Sequence, residues 1–369
     1  MSSSPPEVTA PVRPRPVVAQ PTQTAVERHL VHSVRGSSSC RGSAPCQPAG
    51  MTTTDLPTDR PITLDSARAA GVGPNQLTDL VRDGPLVRPF RGIYLPVDTA
   101  EDPEARARAI GMLLPDGATL GRETAAWLHG VDVRPPDRFR DPPMLECLSD
   151  REIFLNPLRR PEIRGYLTDL GPGDIVEVDG VPITSPARTA LDLARHSERY
   201  MGLAALDMFS HAGLITLDEI TERIRELRGR RWIARARAVL AMADPRAELP
   251  GESWTRLRLH EAGLPIPDLQ ISLRDGLGRE IYRLDMGYHE KQVGLEYDGE
   301  RFHRTTVEQG RHDVRRREDI ENRWGWTAFA FHAGDVLGRR PVVEATVIEA
   351  LGLSVVPTRR RWRGMHDLP

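Results

Sequence analysis

The stretch RLDMGYHEKQVGLEYDGERFH, residues 283–303, contains two apolar runs with the alternation of β-strands, joined by a short polar turn. Asp285 lies in the first run, and Glu296 and Asp298 lie in the second. Acidic residues are depleted in strands, so their presence on two neighbouring strands needs an explanation other than folding. If the turn near Glu290 contains an even number of residues, Asp285 lies opposite Glu296. Strand alternation then places all three carboxylates on one side.

Opposed carboxylates destabilise a sheet, so this group requires a counter-charge. A divalent cation such as Mg²⁺ or Mn²⁺ supplies one, because magnesium binds one or two protein carboxylates and retains several waters. Two other interpretations stay open from spacing alone. Arg283 and Arg301 could neutralise the group as surface ion pairs, and Asp298-Gly299 could simply be a turn.

The region around these strands, residues 250–352, has the pattern of a helix, three strands, a helix, a strand and a helix. This order predicts a three-layer α/β domain of ordinary size. The helix after the carboxylate strands, predicted over residues 306–323, carries Arg311 and Arg315, whose guanidinium groups suit phosphate oxygens. Acidic residues alternate with these arginines, so a solvated helix with ion pairs along its surface is an equally open interpretation.

The sequences LDMGYHEKQVGLEYDGERFH and RRREDIENRWGWTAFAF closely resemble the domain-of-unknown-function 559 family over residues 250–350. That family is related to very-short-patch-repair endonucleases and has the restriction-endonuclease-like fold. The resemblance implies that Asp285 and Glu296 hold Mg²⁺ or Mn²⁺. It also places Asp298 where many restriction enzymes carry a lysine.

The same resemblance places Glu252 at the family's first acidic position and His303 beyond the strand, as a proton carrier near a metal-bound water. The chain departs from the common Glu-x-Lys ending of this motif, and Lys291, its only lysine, lies in the turn between the strands. The site is therefore either the variant found in repair endonucleases, assisted by His303, or a weakened form.

Residues 61–98 have a different pattern, in which two short helices precede a tight ribbon, LVRPFRGIYL. This layout is typical of a winged helix-turn-helix, whose second helix enters the major groove while the ribbon contacts the backbone. The candidates for nucleic-acid contact are Asn75, Gln76 and Arg82 on the second helix and Arg88 and Arg91 on the ribbon. A small helical unit that only packs against its neighbour is the alternative.

Residues 99–245 form a mixed α/β region. The hairpin IVEVDGVPIT turns at Asp179-Gly180, and SPARTALDLARH is a helix with Ser185 as N-cap and Pro186 as its first residue. The sequences AAGVGPNQLTDLVRDGPLVRPFRGIY, LGRETAAWLHG and ITSPARTALDLA resemble the AbiEi-type antitoxin family over residues 60–200. The resemblance implies DNA binding.

Composition limits the remaining choices. The chain has 369 residues and a net charge of −2, so it needs more than one core and any nucleic-acid surface must be local. No apolar run approaches the roughly 18 residues of a membrane helix. Residues 1–60, rich in Ser, Pro and Thr, are predicted to be disordered, and residues 353–369 to be a flexible tail. The odd count of Cys40, Cys46 and Cys147 indicates a reducing cytoplasm.

These patterns predict a cytoplasmic α/β (α+β multidomain) protein: an N-terminal winged helix-turn-helix, an antitoxin-like region over residues 99–245 and a C-terminal three-layer restriction-endonuclease-like domain. The principal hypothesis is a Mg²⁺- or Mn²⁺-dependent endonuclease acting on DNA, although the same chemistry would cleave RNA. The alternative is a non-catalytic DNA-binding regulator or antitoxin with a degenerate nuclease fold. A toxin or a second copy of the chain is a further predicted partner, and a membrane is not.

Overall fold

The computed structural model describes residues 56–57, 60–100, 102–114, 116–136, 144–149, 163–299 and 307–354, without the side chains of residues 103 and 307–313. The predicted N-terminal tail lies almost entirely outside these residues, and so does the predicted C-terminal tail from residue 355 onward. Among the helices of the described residues, none has the length and hydrophobicity that crossing a bilayer requires.

The N-terminal unit consists of two helices and a three-stranded antiparallel sheet of order β1-β3-β2. Thr63 begins the first helix with a capping box shared with Ser66, and Pro74 begins the second, where its missing N–H costs no hydrogen bond. The fully buried Leu77 anchors the second helix on the small core. The elements are β1 (Ile62–Thr63), α1 (Leu64–Ala69), α2 (Pro74–Arg82), β2 (Leu86–Phe90) and β3 (Ile93–Pro96).

The middle region contains a five-stranded mixed sheet of order β6-β5-β4-β8-β7, with helices around it. Its predicted hairpin is present, and Asp179 and Gly180 have the positive φ values of 49° and 77° that a tight hairpin turn requires. Ser185 precedes α5 as predicted, but its side chain makes no capping hydrogen bond. The elements are α3 (Pro103–Gly111), β4 (Thr119–Leu120), α4 (Arg122–Leu128), β5 (Leu145–Ser149), β6 (Ile163–Leu167), β7 (Ile175–Val178), β8 (Val181–Thr184), α5 (Pro186–His196), α6 (Arg199–His211), α7 (Leu217–Glu226) and α8 (Ile233–Leu240).

The C-terminal region contains a four-stranded sheet of order β12-β11-β10-β9. Strands β9, β10 and β11 are antiparallel neighbours, and β12 runs parallel to β11 because α10 connects the two strands. This order of elements is the predicted one, with the short helix α11 added. The elements are α9 (Pro250–Glu261), β9 (Asp268–Arg274), β10 (Glu280–Tyr288), β11 (Val293–Tyr297), α10 (Val307–Trp324), β12 (Thr327–Phe331), α11 (Ala333–Leu337) and α12 (Val342–Leu351).

One hydrophobic core joins the middle and C-terminal regions across the boundary predicted near residues 245–250. Its buried residues extend from Ala126 to Leu351, and α9 lies within it. On the side of α6, the buried Asp207 carboxylate accepts hydrogen bonds from the Ser253 hydroxyl at 2.6 Å and from the Arg256 guanidinium at 3.0 Å. A buried charge is tolerated only when it is paired in this way, so these bonds fix α9 against α6.

Gly251 in α9 lies directly against the Tyr297 ring in β11. A Cβ atom at position 251 would come within 2.1 Å of that ring, and Tyr297 is buried. We therefore expect Gly251→Ala to lower the free energy of unfolding by about 2 kcal/mol, because the clash exceeds the roughly 1 kcal/mol by which helix propensity favours alanine. Urea unfolding measures the change.

The matched control is Gly276→Ala, in the β9–β10 turn, where an added Cβ meets no atom within 4 Å. This variant should unfold at the urea concentration of the unsubstituted protein. A Gly251→Ala variant that is equally stable would contradict the close packing of α9 on β11.

Candidate functional site

The first candidate site lies where β10 and β11 stop pairing. Four residues, 289–292, separate the two strands, so the predicted even-numbered turn is present. The ladder ends at Met286 opposite Leu295, and its register places Asp285 across from Glu296. Beyond that point the Asp285 carboxylate, and not a backbone carbonyl, accepts the hydrogen bond from the Tyr297 N–H at 2.7 Å. Asp285 therefore occupies the opening between the two strands.

Strand alternation is broken at Asp285. Leu284 belongs to the core under α10, whereas Met286 belongs to the core around α9. Leu284 also lies where a side chain on Gly294 would project, with 2.6 Å between Leu284 Cδ1 and an added Cβ. On β9, Gln270 lies between the two residues that pair with Leu284 and Met286, and its φ of 57° is in the left-handed region. The prediction that alternation alone aligns the carboxylates therefore misses this distortion.

Glu252 and Gln270 extend the carboxylate group towards α9. The Glu252 side chain is almost completely buried. One of its oxygens accepts hydrogen bonds from the Glu248 backbone N–H at 3.1 Å and from the Gln270 side-chain amide at 3.3 Å. No ion pair reaches Glu252 or Asp285 from the described residues. Its hydrogen bond with Gln270 brings Glu252 to the edge of the group, and the role that the resemblance gives Glu252 stays a prediction. Gln270 has no signal in the sequence beyond being polar within an apolar strand.

Arg316 of α10 supplies the counter-charge for Glu296. Its Nη2 and Nη1 atoms lie 2.6 and 2.8 Å from the two oxygens of Glu296, and Nη2 also donates to the Arg283 carbonyl at 3.2 Å. The Arg283 side chain pairs with Glu248 instead, at 2.8 Å. Arg283 is thus not the counter-ion of the carboxylate group, and Arg301 lies outside the described residues.

Burial and mutual repulsion raise the pKa values of acids in this group. Burial, followed by the charge of Asp285, raises the pKa of Glu252 from its ordinary value of 4.5 to about 8. Burial also raises the pKa of Asp285 to about 6, with a further increase from Glu296 and an opposing effect of the Tyr297 N–H and Arg316. The hydrogen bonds to Glu296 raise the pKa of Arg316. Such shifts in a carboxyl group are typical of functional sites, although structural networks also produce them.

The other residues predicted for this site are not brought together by the described structure. Asp298 follows β11, its N–H bonds to the Phe331 carbonyl at 2.9 Å, and no hydrogen bond or ion pair between described residues joins it to Asp285. Arg315 is exposed on α10. His303 and the side chain of Arg311 lie outside the described residues. Within the described ranges, no group of three or more His, Cys, Asp or Glu residues has metal-binding geometry.

The second candidate site is the outer face of the N-terminal unit. Asn75 and Gln76 are exposed on the first turn of α2, and the Gln76 side-chain oxygen accepts a hydrogen bond from the Gly73 N–H at 2.8 Å. Arg82 lies 2.8 Å from Asp79 and 3.1 Å from Asp83, and these acids raise the pKa of Arg82. Arg88 and Arg91 are exposed on the β2–β3 hairpin, and neither makes an ion pair within the described structure.

Comparisons with known proteins find a family model, relatives and a solved structure that are similar to this chain. The family model of the AbiEi antitoxin C-terminal domain matches residues 117–242. The uncharacterized proteins MT2308 and Rv2248, from two strains of Mycobacterium tuberculosis, are each 31% identical to this chain over 263 residues, which is 71% of this chain and 90% of each relative. The crystal structure of the RV2827C protein from the same species aligns with a TM-score of 0.28 at 17% identity, over 50% of this chain and 77% of that chain.

The raised pKa of Glu252 predicts a pH-dependent stability. Because the carboxyl titrates near 8 when folded and near 4.5 when unfolded, the wild-type protein loses stability as pH rises from about 4.5 to 8. Glu252→Gln cannot ionise and retains the oxygen that accepts both hydrogen bonds. We expect this variant to be more stable than the wild type by about 2–4 kcal/mol at pH 8.5 and equally stable at pH 4.

Chemical denaturation in the presence of a chelator, repeated across this pH range, measures the difference. Parallel stability curves for the two proteins would show that Glu252 does not titrate within this window. The folded group would then have a partner that offsets its burial.

Proposed function

Because this chain belongs to the family of the mycobacterial proteins MT2308 and Rv2248 and is related to the AbiEi-type antitoxins over residues 117–242, we propose that it is a DNA-binding regulator of the antitoxin type. The observation that carries the proposal is the pair of exposed arginines, Arg88 and Arg91, on the β2–β3 hairpin beside α2, neither of which makes an ion pair with a described residue. The family name also suggests a toxin as a second partner, and self-association stays a prediction.

The shape of the N-terminal unit supports this proposal. Helices α1 and α2 are separated by residues 70–73, which include Gly71 with a φ of 78°. Leu77 holds one face of α2 on the core, and the polar residues at its N-terminal end remain at the surface. In helix-turn-helix proteins, residues at the N-terminal end of the second helix contact base edges. Asn75 and Gln76 hold this position on α2.

Charge distinguishes the ribbon arginines from Arg82. The acids beside Arg82 already neutralise its guanidinium, and they would repel a phosphate group that approached it. Neither Arg88 nor Arg91 makes an ion pair with a described residue, so both can neutralise phosphates directly. Phosphate contacts dominate the affinity of most DNA-binding proteins and make it dependent on salt. The hairpin is thus the part of this unit from which most of the affinity should come.

We expect the Arg88→Ala/Arg91→Ala double variant to bind duplex DNA about 10-fold more weakly than the wild type. Its plot of log affinity against log salt should be shallower by about 2, because each lost phosphate contact removes about one unit of slope. Fluorescence anisotropy with a labelled duplex of random sequence, at several salt concentrations, measures both quantities.

The control is Arg225→Ala/Arg279→Ala, which removes two arginines exposed on α7 and on the β9–β10 turn. This double variant has the same change in net charge and should bind DNA as the wild type does. If both double variants lose the same affinity and slope, the effect follows net charge, and the proposed role of the hairpin is wrong.

A second candidate function, the metal-dependent cleavage of phosphodiesters, is favoured by the buried carboxylate group at the opening between β10 and β11. Glu252 and Asp285 lack a cationic partner among the described residues, and oxygen donors are what Mg²⁺ and Mn²⁺ prefer. Asp285 and Glu296 would hold the metal, which when bound would polarise a phosphoryl oxygen and activate water. Glu296 can hold a metal only when its ion pair with Arg316 is broken.

The residues around the carboxylate group have roles that do not depend on whether a metal is bound. Arg316 positions the Glu296 carboxylate and brings a positive charge to a site that would otherwise repel a nucleic acid. Glu252, whose pKa is about 8, carries a proton at neutral pH that a leaving oxygen could accept. The predicted participation of Asp298 and His303 stays untested, and so does the contact of Arg311 and Arg315 with the nucleic acid.

For this second function we expect Mg²⁺- or Mn²⁺-dependent nicking of supercoiled plasmid by the full chain. Asp285→Asn and Glu296→Gln should each reduce the rate about 100-fold or more, because a lost ligand should cost at least as much as the 10- to 100-fold typical of outer-shell partners. Asp275→Asn, in the exposed β9–β10 turn, is the control and should cleave at the wild-type rate. Equal nicking by all variants would identify a contaminant, and no nicking would leave the regulator as the function.

A further inference from the structure

The loop between α7 and α8, residues 227–232, presents an unusual combination of side chains to the solvent. Its sequence is LRGRRW, and every residue from Arg228 to Trp232 is exposed. Residues 227–243 contain five arginines and no aspartate or glutamate, although the chain as a whole has a net charge of −2. Arginines clustered in this way are typical of a surface that binds a polyanion.

Hydrogen bonds and packing hold this loop in place. The Arg230 N–H donates to the Leu227 carbonyl at 3.0 Å, and the Arg230 carbonyl accepts from the Ile233 N–H at 3.3 Å. Arg195 of α5 donates to the Arg231 carbonyl at 3.1 Å. The buried Ile233 and the partly buried Leu227 pack into the large core at the two ends of the loop. The exposed side chains therefore project from a turn whose backbone is fixed.

Two of the loop arginines have no counter-charge among the described residues. Arg230 lies 3.4 Å from Asp169, whereas neither Arg228 nor Arg231 makes an ion pair with a described residue, and Glu226, the acid nearest in sequence, pairs with neither. The arginines of α7, by contrast, both pair with carboxylates. Neighbouring like charges repel one another, and an anion that binds to them relieves this repulsion.

Trp232 is the second unusual feature of the loop. It is 47% exposed, whereas the other tryptophans that the structure describes are buried or partly buried. Its φ of 66° is in the left-handed region, which residues with a Cβ atom disfavour and which is common at functional sites. The guanidinium carbon of Arg231 lies 4.9 Å from the centre of the indole ring, in a cation–π contact. The structure thus keeps a large aromatic ring at the surface, beside the loop arginines.

Nucleic acid with unpaired bases has the chemistry that suits both features. Its phosphates pair with guanidinium groups, and its bases stack on aromatic side chains whatever the base sequence. The bases of a duplex stack on one another, so a duplex would use the arginines but not the indole ring. An acidic protein would also attract the arginines. Apart from Trp232, however, residues 228–232 are only arginine and glycine, without the apolar centre that a protein interface normally has.

We propose that Arg228, Arg231 and Trp232 bind single-stranded nucleic acid, with one base stacked on the indole ring and neighbouring phosphates on the two arginines. The three residues lie within five consecutive positions, so their Cα atoms are within about 14 Å of one another. The strand is DNA or RNA, because both offer the same phosphates and base faces. This site shares no residue with the β2–β3 hairpin proposed to contact duplex DNA, so either proposal can fail without the other.

Fluorescence anisotropy of the full chain tests the proposal with labelled dodecamers: single strands of deoxythymidylate and of uridylate, and a duplex of mixed sequence. At least one single strand should bind the wild type, and the tighter of the two identifies the kind of strand. Trp232→Leu should weaken that binding about 10-fold, as expected for the loss of one stacked base. Trp232→Phe keeps an aromatic ring and should retain most of the affinity. Neither variant should change the binding of the duplex.

The arginines are tested through the salt dependence of the same binding. Arg228→Ala/Arg231→Ala should make the plot of log affinity against log salt shallower by about 1.4, because each phosphate contact of a single strand contributes about 0.7 to the slope. The control is Arg68→Ala/Arg279→Ala, which removes two exposed arginines that are paired with acids. It changes the net charge equally and should bind the single strand as the wild type does.

Several outcomes would overturn the proposal. If no single strand binds the wild type, the loop is a contact for an acidic protein partner and not for nucleic acid. If Trp232→Leu binds the single strand as tightly as the wild type, or loses affinity for the duplex equally, no unpaired base stacks on the ring. If both double variants lose the same slope, the effect follows net charge and not the loop.

Discussion

The buried helix α9 is the constraint on which the rest of this structure depends. It carries two arginines that are almost completely inaccessible, Arg256 and Arg258. A buried guanidinium without a partner would be strongly destabilising, so each must meet acceptors from other elements. Arg256 meets Asp207 of α6, and Arg258 meets Glu344 of α12 together with carbonyls around α11. These bonds join α6 of the antitoxin-like region and the C-terminal helices α11 and α12 to the same helix.

The same helix places Glu252 against the opening between β10 and β11. Unlike the two arginines, Glu252 has no oppositely charged partner among the described residues, and the charge of another acid, Asp285, raises its pKa further. Arg256 and Arg258 are thus paired with carboxylates inside the fold, whereas Glu252 is not paired with a described cation. The contrast makes the carboxylate group a candidate site, while the family relationship favours a DNA-binding regulator. The two functions are compatible, because the N-terminal hairpin and the carboxylate group share no residues.

Much of the local structure was predictable from short-range rules. The Asp-Gly hairpin turn, the proline at the start of α5, and the order of elements from α9 to α12, except for the short α11, follow from turn chemistry and from alternation within each run. The opposition of Asp285 and Glu296 follows from the even number of residues in the turn. The broken alternation at Asp285 was not predictable, because it depends on the left-handed Gln270 on a different strand. The choice of Arg316, and not Arg283, as the partner of Glu296 depends on how α10 lies over the sheet.

The sequence by itself determined which segments form helices and strands and which chemical groups those segments carry, because those properties depend on neighbours within a few positions. Only the tertiary structure decided which of those groups meet. The Arg122 guanidinium of α4 lies over the ring of Tyr166 in β6, and this contact has no signature in either segment alone. Burial likewise raises the pKa of Glu252, and burial is a property of the whole fold. Long-range packing and the exclusion of water, which act between residues distant in the chain, are therefore what turn ordinary side chains into candidate sites.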